Sequence, residues 1–257
     1  MVGYNPDDFQ RVYDVEDEHF WFVARNRVLA AVLSKVRLAT STKPSILEVG
    51  CGTGNTLRVL RAAFPGATVV GVDASATGLA FARRRSRGWL VQARIEQLPF
   101  RHSFDLIAAF DVLEHVEDEA AGLRHLRTML RPGGMLIMTV PARQALWSRV
   151  DEESHHWRRY EPRQLRDALT ANGFRLEYQT YFMAGLYPLM WIARRVYALS
   201  GRAPDPGNGP RSALARELKV VPGLNESLLW LLAPEAPWIG RHRRLPFGTS
   251  LLAVARS

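Results

Sequence analysis

Cysteine is nearly absent from this sequence, which has Cys51 alone among its 257 residues. A single thiol excludes an internal disulfide and any metal site built from several cysteines, and we assign no residue as a metal ligand from the sequence. The start of the chain, Met1-Val-Gly-Tyr-Asn-Pro6, also lacks the basic and apolar stretches of a secretory signal. We therefore expect a cytoplasmic protein.

Lysine is scarce as well, with Lys35, Lys43 and Lys219 as its three occurrences, so arginine supplies nearly all of the formal net charge of +9. A basic balance of this size can indicate nucleic acid or an anionic membrane as a partner. The arginines, however, are spread along the chain in small groups such as Arg83-Arg84-Arg85. This distribution favours a compositional excess over a binding patch.

Long hydrophobic runs are missing too. The apolar segment that begins at Met183 extends for about a dozen residues, whereas a helix needs roughly 20 to span a bilayer. The apolar fraction of 47% is that of a globular protein with a core. The sequence therefore predicts no membrane-spanning helix.

What the sequence does contain is a regular alternation of apolar runs and helical patterns. Short apolar runs bounded by turn residues predict buried strands, and helical segments lie between most of them. This order predicts an α/β fold: a Rossmann-like, mostly parallel sheet with helices on both faces, whose ligands bind beyond the carboxyl ends of the strands. The predicted strands are 45–49, 67–72, 89–93, 104–110, 135–140, 174–182 and 250–256, and the predicted helices between them are 55–64, 75–87, 117–130 and 161–172.

The alternation divides the chain into three parts. Residues 1–43 precede it and form an N-terminal helical cap. Residues 44–182 and 250–257 form the core. Residues 183–249 form a helical insertion before the last strand, for which three roles are open: a cap over a substrate pocket, a dimer contact, or a segment that lies on a membrane surface.

Both the cap and the insertion are predicted to be helical. The cap has a helical pattern over about residues 8–36, and its aromatic triplet Phe20-Trp21-Phe22 belongs either to a helix packed on the sheet or to a lid over a ligand. In the insertion, 202–210 reads as a loop because it is rich in proline and glycine. Helix-like stretches follow at 212–220 and 225–232.

A glycine-rich loop, Gly50-Cys-Gly-Thr-Gly54, connects the first strand to the first helix of the core. Glycines let the backbone approach a ligand closely, and the helix start behind them favours an anionic group such as a carboxylate. A dinucleotide-binding loop would have glycine where this chain has Asn55. Glu48 instead suits a cofactor that carries an ammonium and a sulfonium, and Asp73 at the end of the second strand can accept from both ribose hydroxyls.

On these residues the chain resembles the class I S-adenosylmethionine (SAM)-dependent methyltransferases, in the broad group called type 11 or type 12. The resemblance covers about residues 45–180 and the final strand. It implies a seven-stranded sheet whose last strand is antiparallel, with SAM as the methyl donor and S-adenosylhomocysteine as the product. The matching segments are Leu47-Glu-Val-Gly-Cys-Gly-Thr-Gly54, Val72-Asp73, Ile95-Glu-Gln-Leu-Pro-Phe100, Phe104-Asp-Leu-Ile107, Asp111-Val-Leu-Glu-His115 and Leu130-Arg-Pro-Gly-Gly134.

The resemblance also implies a set of cofactor contacts. Relatives commonly carry an aspartate where this chain has Arg94, so the adenine contacts are expected from Ile95 or Glu96 instead. The implied contact residues are Glu48, Gly50, Cys51, Gly52, Asn55, Asp73, Ala74, Ile95, Glu96, Asp111 and Val112.

Candidate catalytic residues follow the fourth and fifth strands. Methyl transfer needs a nucleophile held in line with the methyl group, and a hydroxyl nucleophile also needs a base. His115 is one candidate, or else a structural histidine. The segment Asp151–Tyr160 resembles a stretch of relatives in which His156 would take a proton and Asp151 would orient it. Arg158 and Tyr160 of this segment, together with Trp21, are candidate acceptor-binding residues, although the segment could also be a charged loop tied by its own salt bridges.

The sequence therefore predicts an enzyme that methylates a small molecule: a natural product, a sugar or a lipid-linked glycan precursor. The Asp-Pro-Pro-Tyr or Asn-Pro-Pro-Tyr signature of base N-methyltransferases is missing after the fourth strand, which argues against nucleic acid as the substrate. Two alternatives stay open. The chain could be a SAM-binding subunit that activates a partner without catalysis of its own, or a peripheral membrane enzyme with a lipid-linked substrate. A homodimer is also compatible with the sequence.

Overall fold

The computed structural model describes residues 6–38, 43–86, 88–199 and 213–257. Within these ranges seven strands form one sheet: β1 (Ser45–Val49), β2 (Thr68–Asp73), β3 (Trp89–Gln92), β4 (Phe104–Phe110), β5 (Leu130–Pro141), β6 (Arg175–Phe182) and β7 (Ser250–Arg256). The strand order is β3-β2-β1-β4-β5-β7-β6, and β7 is antiparallel to both of its neighbours. The predicted α/β sheet with an antiparallel last strand is confirmed.

Helices cover both faces of the sheet. They are α1 (Pro6–Val15), α2 (Phe20–Leu33), α3 (Asn55–Ala63), α4 (Ala76–Arg85), α5 (Glu119–Met129), α6 (Arg149–Glu153), α7 (Pro162–Ala171), α8 (Leu186–Leu199), α9 (Ala213–Glu217), α10 (Leu224–Leu232) and α11 (Glu235–Ile239). Helices α1 and α2 precede β1, and the others lie between strands. Every residue of β4, the central strand, is buried, as expected for a strand covered on both faces. Buried side chains of α5 and α7 pack on one face, and those of α2, α3, α10 and α11 pack on the other.

The N-terminal region differs from the single helix predicted over 8–36, because α1 and α2 are separated by a turn. His19 caps α2, where its Nδ1 accepts from the Trp21 amide at 3.3 Å. Glu16, in the turn, lies inside the protein, where it pairs with Arg85 at 2.8 Å and accepts from the Thr53 hydroxyl. A helical pattern does not reveal such a break, because the break depends on contacts with a distant part of the chain.

The fifth strand also differs from the prediction, which placed its start at residue 135. Leu130 already pairs with Phe104, and the ladder resumes at Met135 beside Leu106. The intervening Arg131-Pro-Gly-Gly134 forms a bulge, with Gly133 at φ 74°. These turn residues therefore come just after the end of α5, as predicted, but they lie within β5 and do not precede it.

Between β6 and β7 the described residues contain helices α8 to α11, whereas the predicted loop at 202–210 lies outside the described residues. Helices α10 and α11 pack against α2, and the Glu235 carboxylate accepts from the amides of Met183 (2.7 Å) and Gly185 (3.2 Å). The sequence analysis missed two short helices, α6 and α11. In the described ranges no helix has the length and apolar character needed to cross a membrane.

Candidate active site

A cavity of about 650 Å³ lies at the carboxyl ends of β1, β4 and β5. Its walls come from all three parts of the chain: the glycine loop of the core, the aromatic start of α2, and apolar side chains of the insertion. The polar groups in its lining include Asp111, Glu114, His115 and His156. The location agrees with the rule for ligand sites in parallel sheets.

The three glycines of the loop all have positive φ, and each has different surroundings. At Gly50 (φ 70°) a Cβ would lie 2.5 Å from Val112 Cγ2, and at Gly54 (φ 79°) it would lie 3.0 Å from the Ala82 backbone. At Gly52 (φ 49°) a Cβ would meet nothing within 4 Å, and Gly52 lines the cavity. Gly50 and Gly54 therefore allow close packing inside the protein, whereas Gly52 leaves open space for a ligand.

Two carboxylates lie next to this loop. Glu48 is buried; the Thr56 hydroxyl donates to its Oε1, and no group in the described ranges donates to its Oε2. Burial raises the pKa of Glu48 to about 8. Burial also raises the pKa of Asp73, against the effect of the Ser75 and Gly52 amides, which both donate to its carboxylate at 2.8 Å. The remaining lone pairs of Asp73 can still accept from a ligand.

These groups fit the donor and acceptor pattern of SAM. Gly52 provides an open cradle beside the start of α3, where backbone amides favour a carboxylate. Glu48 has an unused buried oxygen for a cationic group. Of the predicted cofactor residues, Gly50, Cys51, Gly52, Asn55 and Asp111 line the cavity.

The other predicted cofactor residues lie beside the cavity, outside its lining. Glu48 lies in β1 just before the glycine loop, Asp73 is the last residue of β2 and Ala74 follows it, and Ile95 and Glu96 belong to a short turn after β3. Val112 packs against Gly50. Burial raises the pKa of the Cys51 thiol, which makes it a poor nucleophile.

Asp111 has a left-handed backbone, with φ 55°, directly after β4. Its carboxylate is held on both sides: Arg25 Nη1 lies 3.0 Å from Oδ2, and the Thr139 hydroxyl donates to Oδ1 at 3.1 Å. Arg25 also lies over the Trp21 ring, 4.8 Å from its centroid. Sequence analysis missed Arg25, since its place in the helical pattern gives no sign that it reaches Asp111.

His156 and Asp151 are close together, as the pattern of relatives implied. The Nδ1 of His156 lies 2.9 Å from Asp151 Oδ1, and the Nε of Arg159 donates to the same oxygen at 2.7 Å. Burial by itself would raise the pKa of Asp151, but the His156 hydrogen bond and the Arg159 charge outweigh it and lower the pKa to about 2. Asp151 is therefore an anion that orients the His156 ring.

His115 lies edge-on to His156, with ring centroids 4.7 Å apart. Burial, and then the neighbouring His156, lower the pKa of His115 to about 4, against hydrogen bonds to the backbone of His155 and Ser154. Glu114 is fully buried beside them, and its two carboxylate oxygens accept from no described residue. Burial and then Asp111 raise its pKa well above the usual value. Glu114 stands in the Asp111–His115 motif, and the sequence alone indicates no role for it.

The three candidate acceptor-binding residues lie in different places. Trp21 lines the cavity. Tyr160 is buried outside the lining and donates to Glu119 Oε2 at 2.7 Å. Arg158 pairs with the same carboxylate at 3.2 Å and donates to the Glu117 carbonyl. Arg158 and Tyr160 thus tie the loop before α7 to the start of α5.

Comparison with known proteins agrees with this picture. A family described as a methyltransferase domain matches residues 21–179. The chain is 35% identical to the trans-aconitate 2-methyltransferase of Methylobacterium nodulans over 132 residues, which are 51% of this chain and 48% of that protein. It is 32% identical to the demethylmenaquinone methyltransferase of Chlorobaculum tepidum over 126 residues, 48% of this chain and 50% of that protein.

These matches therefore span about half the length of the curated relatives. Among solved structures, a SAM-dependent methyltransferase from Mesorhizobium loti has a similar fold, with a TM-score of 0.56 and 19% identity. The superposition covers 94% of this chain and 100% of that one.

Proposed function

The chain belongs to the methyltransferase-domain family of class I SAM-dependent enzymes, and from this premise we propose that it transfers the methyl group of SAM to a small molecule bound in the cavity. The observation that carries the proposal is the cavity itself, which joins the glycine loop to the group of Glu114, His115 and His156. A donor at the loop and an acceptor at the histidines would share one space. That arrangement suits an in-line displacement.

The cavity walls indicate the chemical class of the acceptor. Besides the aromatic side chains of α2, the insertion supplies Leu186, Leu189, Met190 and Leu228 to the lining. Apolar walls around a small polar floor favour an acceptor with a large apolar body and one polar head. We propose an apolar natural product or a lipid-linked molecule rather than a free sugar, with the 183–249 insertion as its cap.

For the donor, we propose that Gly50, Cys51, Gly52 and Asn55 hold the methionine part, with Glu48 near its ammonium. Asp73 and Ala74 would hold the ribose, and Ile95 and Glu96 would border the adenine. Asp111 and Val112 would close the space between cofactor and acceptor. When bound, SAM supplies an electrophilic methyl group, and the protein supplies position and exclusion of water.

For the acceptor, we propose that Trp21 contacts the apolar body and that His115 and His156 act on the polar head. Asp151 occupies Nδ1 of His156, which leaves Nε2 as the nitrogen that can accept a proton from a hydroxyl. Arg158 and Tyr160 are not part of this proposal, because Glu119 engages both of their polar ends.

A transfer assay with methyl-tritiated SAM tests the proposal. Apolar hydroxylated compounds, such as phenols, hydroxyquinones and polyprenyl-linked sugars, would be compared with free sugars of the same hydroxyl pattern. We expect label in the apolar group alone. Label confined to free sugars would contradict the acceptor class, and SAM binding without turnover of any acceptor would favour the non-catalytic subunit.

One further observation favours a peripheral membrane enzyme as a second candidate. Helices α8 and α10 expose Trp191, Ile192 and Trp230, the last with 80% of its surface accessible. Tryptophan is the side chain most suited to a membrane interface. Flotation with anionic liposomes at low salt would test this candidate, with Trp230→Ser as the variant that should float less; a protein that stays at the bottom of the gradient would overturn it.

A further inference from the structure

We propose that Glu114, His115 and His156 form a binding site for a divalent transition-metal ion at the floor of the cavity. Each residue offers one ligand atom, and these atoms all lie within 4.8 Å of one another. A bound ion would lie about 2 Å from each atom, so small side-chain movements would complete the site. The ligand set is one carboxylate oxygen and two imidazole nitrogens.

Glu114 is the first reason for the proposal. It is fully buried and lines the cavity, yet neither carboxylate oxygen accepts a hydrogen bond within the described ranges. Buried carboxylates are normally paired or bound to a metal, because an isolated buried charge is costly. Arg159, the arginine whose charge acts on Glu114, is already engaged by Asp151. A cation at this point would supply the missing partner.

The second reason is the way the two histidines are held. His156 makes its Nδ1 contact with the Asp151 carboxylate at 2.9 Å, and His115 bonds to the backbone of Ser154 and His155. Metal-binding histidines typically use their second nitrogen in this way, because the outer contact fixes the ring and its tautomer. Both rings therefore have an outer partner that fixes their orientation, and Asp151 holds His156 through Nδ1, so that its Nε2 is the ligand atom.

The ligand types indicate which ions would fit. Magnesium and calcium prefer sets made of oxygen alone, whereas imidazole suits zinc, iron and other transition metals. Three protein ligands would leave coordination positions open towards the cavity, as in catalytic sites. The sequence alone predicts no such site, because His156 is distant in the chain from the adjacent Glu114 and His115 and only the fold brings it to them.

A consequence rests on the proposed function. An ion with open positions would bind the acceptor oxygen and lower the pKa of its hydroxyl. The hydroxyl proton would pass to water, the oxygen would form a bond to the methyl carbon, and the carbon–sulfur bond of SAM would break to give S-adenosylhomocysteine. In this form of the reaction His156 is a metal ligand and does not itself take the proton.

Metal binding by the full chain tests the inference without any activity assay. Protein stripped with EDTA would be titrated with Co²⁺, followed by visible absorption, and with Mn²⁺, followed by paramagnetic resonance. The variants are Glu114→Gln and His156→Gln, and the control is His155→Asn, which changes an exposed side chain of the same loop. A further variant, Asp151→Asn, removes the outer partner of His156.

We expect one ion per wild-type chain and no saturable binding in Glu114→Gln or His156→Gln. The loss in Asp151→Asn should be roughly tenfold to hundredfold, and His155→Asn should bind as the wild type does. Glu114→Gln is expected to fold in EDTA at least as well as the wild type, since it removes an unpaired buried acid. Equal Co²⁺ affinity in wild type and Glu114→Gln, or no saturable binding to the wild type, would overturn the inference.

SAM titrations of the same samples separate this inference from the proposed function. Metal binding without SAM binding would uphold the site and overturn methyl transfer as its purpose. SAM binding without metal binding would leave donor binding intact and overturn the metal site, and the transfer assay would then decide whether the chain methylates an acceptor.

Discussion

The three glycines of the glycine loop show that the effect of a substitution depends on what surrounds each residue. Gly50, Gly52 and Gly54 look equivalent in the sequence, and all three have left-handed backbone angles. The space that a side chain would need is nevertheless different at each: Val112 fills it at Gly50, helix α4 fills it at Gly54, and at Gly52 it is open. Substitutions should therefore separate a ligand effect from a stability effect.

Gly52→Ala and Gly54→Ala form a matched pair that tests this separation. Each should lose about 1–2 kcal/mol of unfolding free energy, because a left-handed backbone disfavours alanine. Gly54→Ala should lose more, since its Cβ would crowd the Ala82 backbone at 3.0 Å. Gly52→Ala should instead weaken SAM binding, measured by calorimetry beside urea unfolding. The assignment would be contradicted if a folded Gly54→Ala bound SAM more weakly than the wild type while Gly52→Ala bound SAM as tightly as the wild type.

Glu48 should make SAM binding depend on pH. Its pKa is raised to about 8 from a usual 4.5, so the free protein holds a neutral carboxyl at neutral pH. The stabilisation that comes with this proton is complete below about pH 4.5 and is lost as the pH rises through about 8. A cationic SAM ammonium beside Glu48 would lower this pKa, so binding should release a proton and tighten from about pH 6 to about pH 8.

Calorimetry in buffers of different ionisation enthalpy measures that proton. Glu48→Gln is the matched variant, because an amide oxygen keeps the hydrogen bond from Thr56. We expect proton release in the wild type and none in the variant. Equal release in both proteins would show that another group titrates.

Candidate residues could be named from the sequence where a short motif contains them, and their roles stay predictions. The loop glycines, Asp73 and the Asp151–His156 pair all came from spacing or from resemblance. Glu114 and Arg25 did not, because their importance comes from burial and from a partner that is distant in the chain. An acid next to a histidine in a turn has no visible role until the fold shows that it is unpaired.

At the level of elements, helix α2 is the part whose position matters most for the site. It covers one face of β1 and β4, brings Trp21 to the cavity, and places Arg25 against Asp111. The sequence predicted a helix in this region and left open whether it packs on the sheet or forms a lid. In the structure the buried side of α2 packs on the sheet and its first turn lines the cavity, and its role as a lid stays a prediction.

Substitutions in the Arg25–Asp111 pair measure how much the packing of α2 against the core contributes to stability. The two side chains are 9% and 21% exposed, so removing one partner leaves a charge that is mostly buried. We expect Arg25→Met to lose about 2 kcal/mol in urea unfolding, somewhat less than a fully buried pair would. The double variant Arg25→Met/Asp111→Asn should regain part of that loss. A double variant that loses the sum of both single changes would contradict the pairing.

Element boundaries show where sequence patterns stop being informative. The core strands and helices agree with the predicted order, because their apolar runs and capping residues are local signals. The break between α1 and α2, the early start of β5 at Leu130, and the short helices α6 and α11 depend on tertiary contacts. Glu16, for example, leaves the helical pattern to pair with Arg85 across the structure.

For the whole molecule, the cavity links three stretches of chain that the sequence analysis treated separately. The N-terminal helices, the core and the insertion all contribute to one lining, so acceptor choice is expected to depend on the insertion and donor binding on the core. Several arginines pair with acids, as Arg131 does with Asp105 and Arg256 with Glu177.

The most direct test of the account is a calorimetric titration of the purified chain with SAM, in the wild type, in Asp73→Ala and in Asp167→Ala. Asp167 is an exposed aspartate on α7, outside the cavity lining, and serves as the control. The account predicts one SAM per wild-type chain, a loss of roughly tenfold to hundredfold in Asp73→Ala from the missing ribose hydrogen bonds, and no change in Asp167→Ala. No saturable SAM binding to the wild type, or equal affinity in all three proteins, would contradict it.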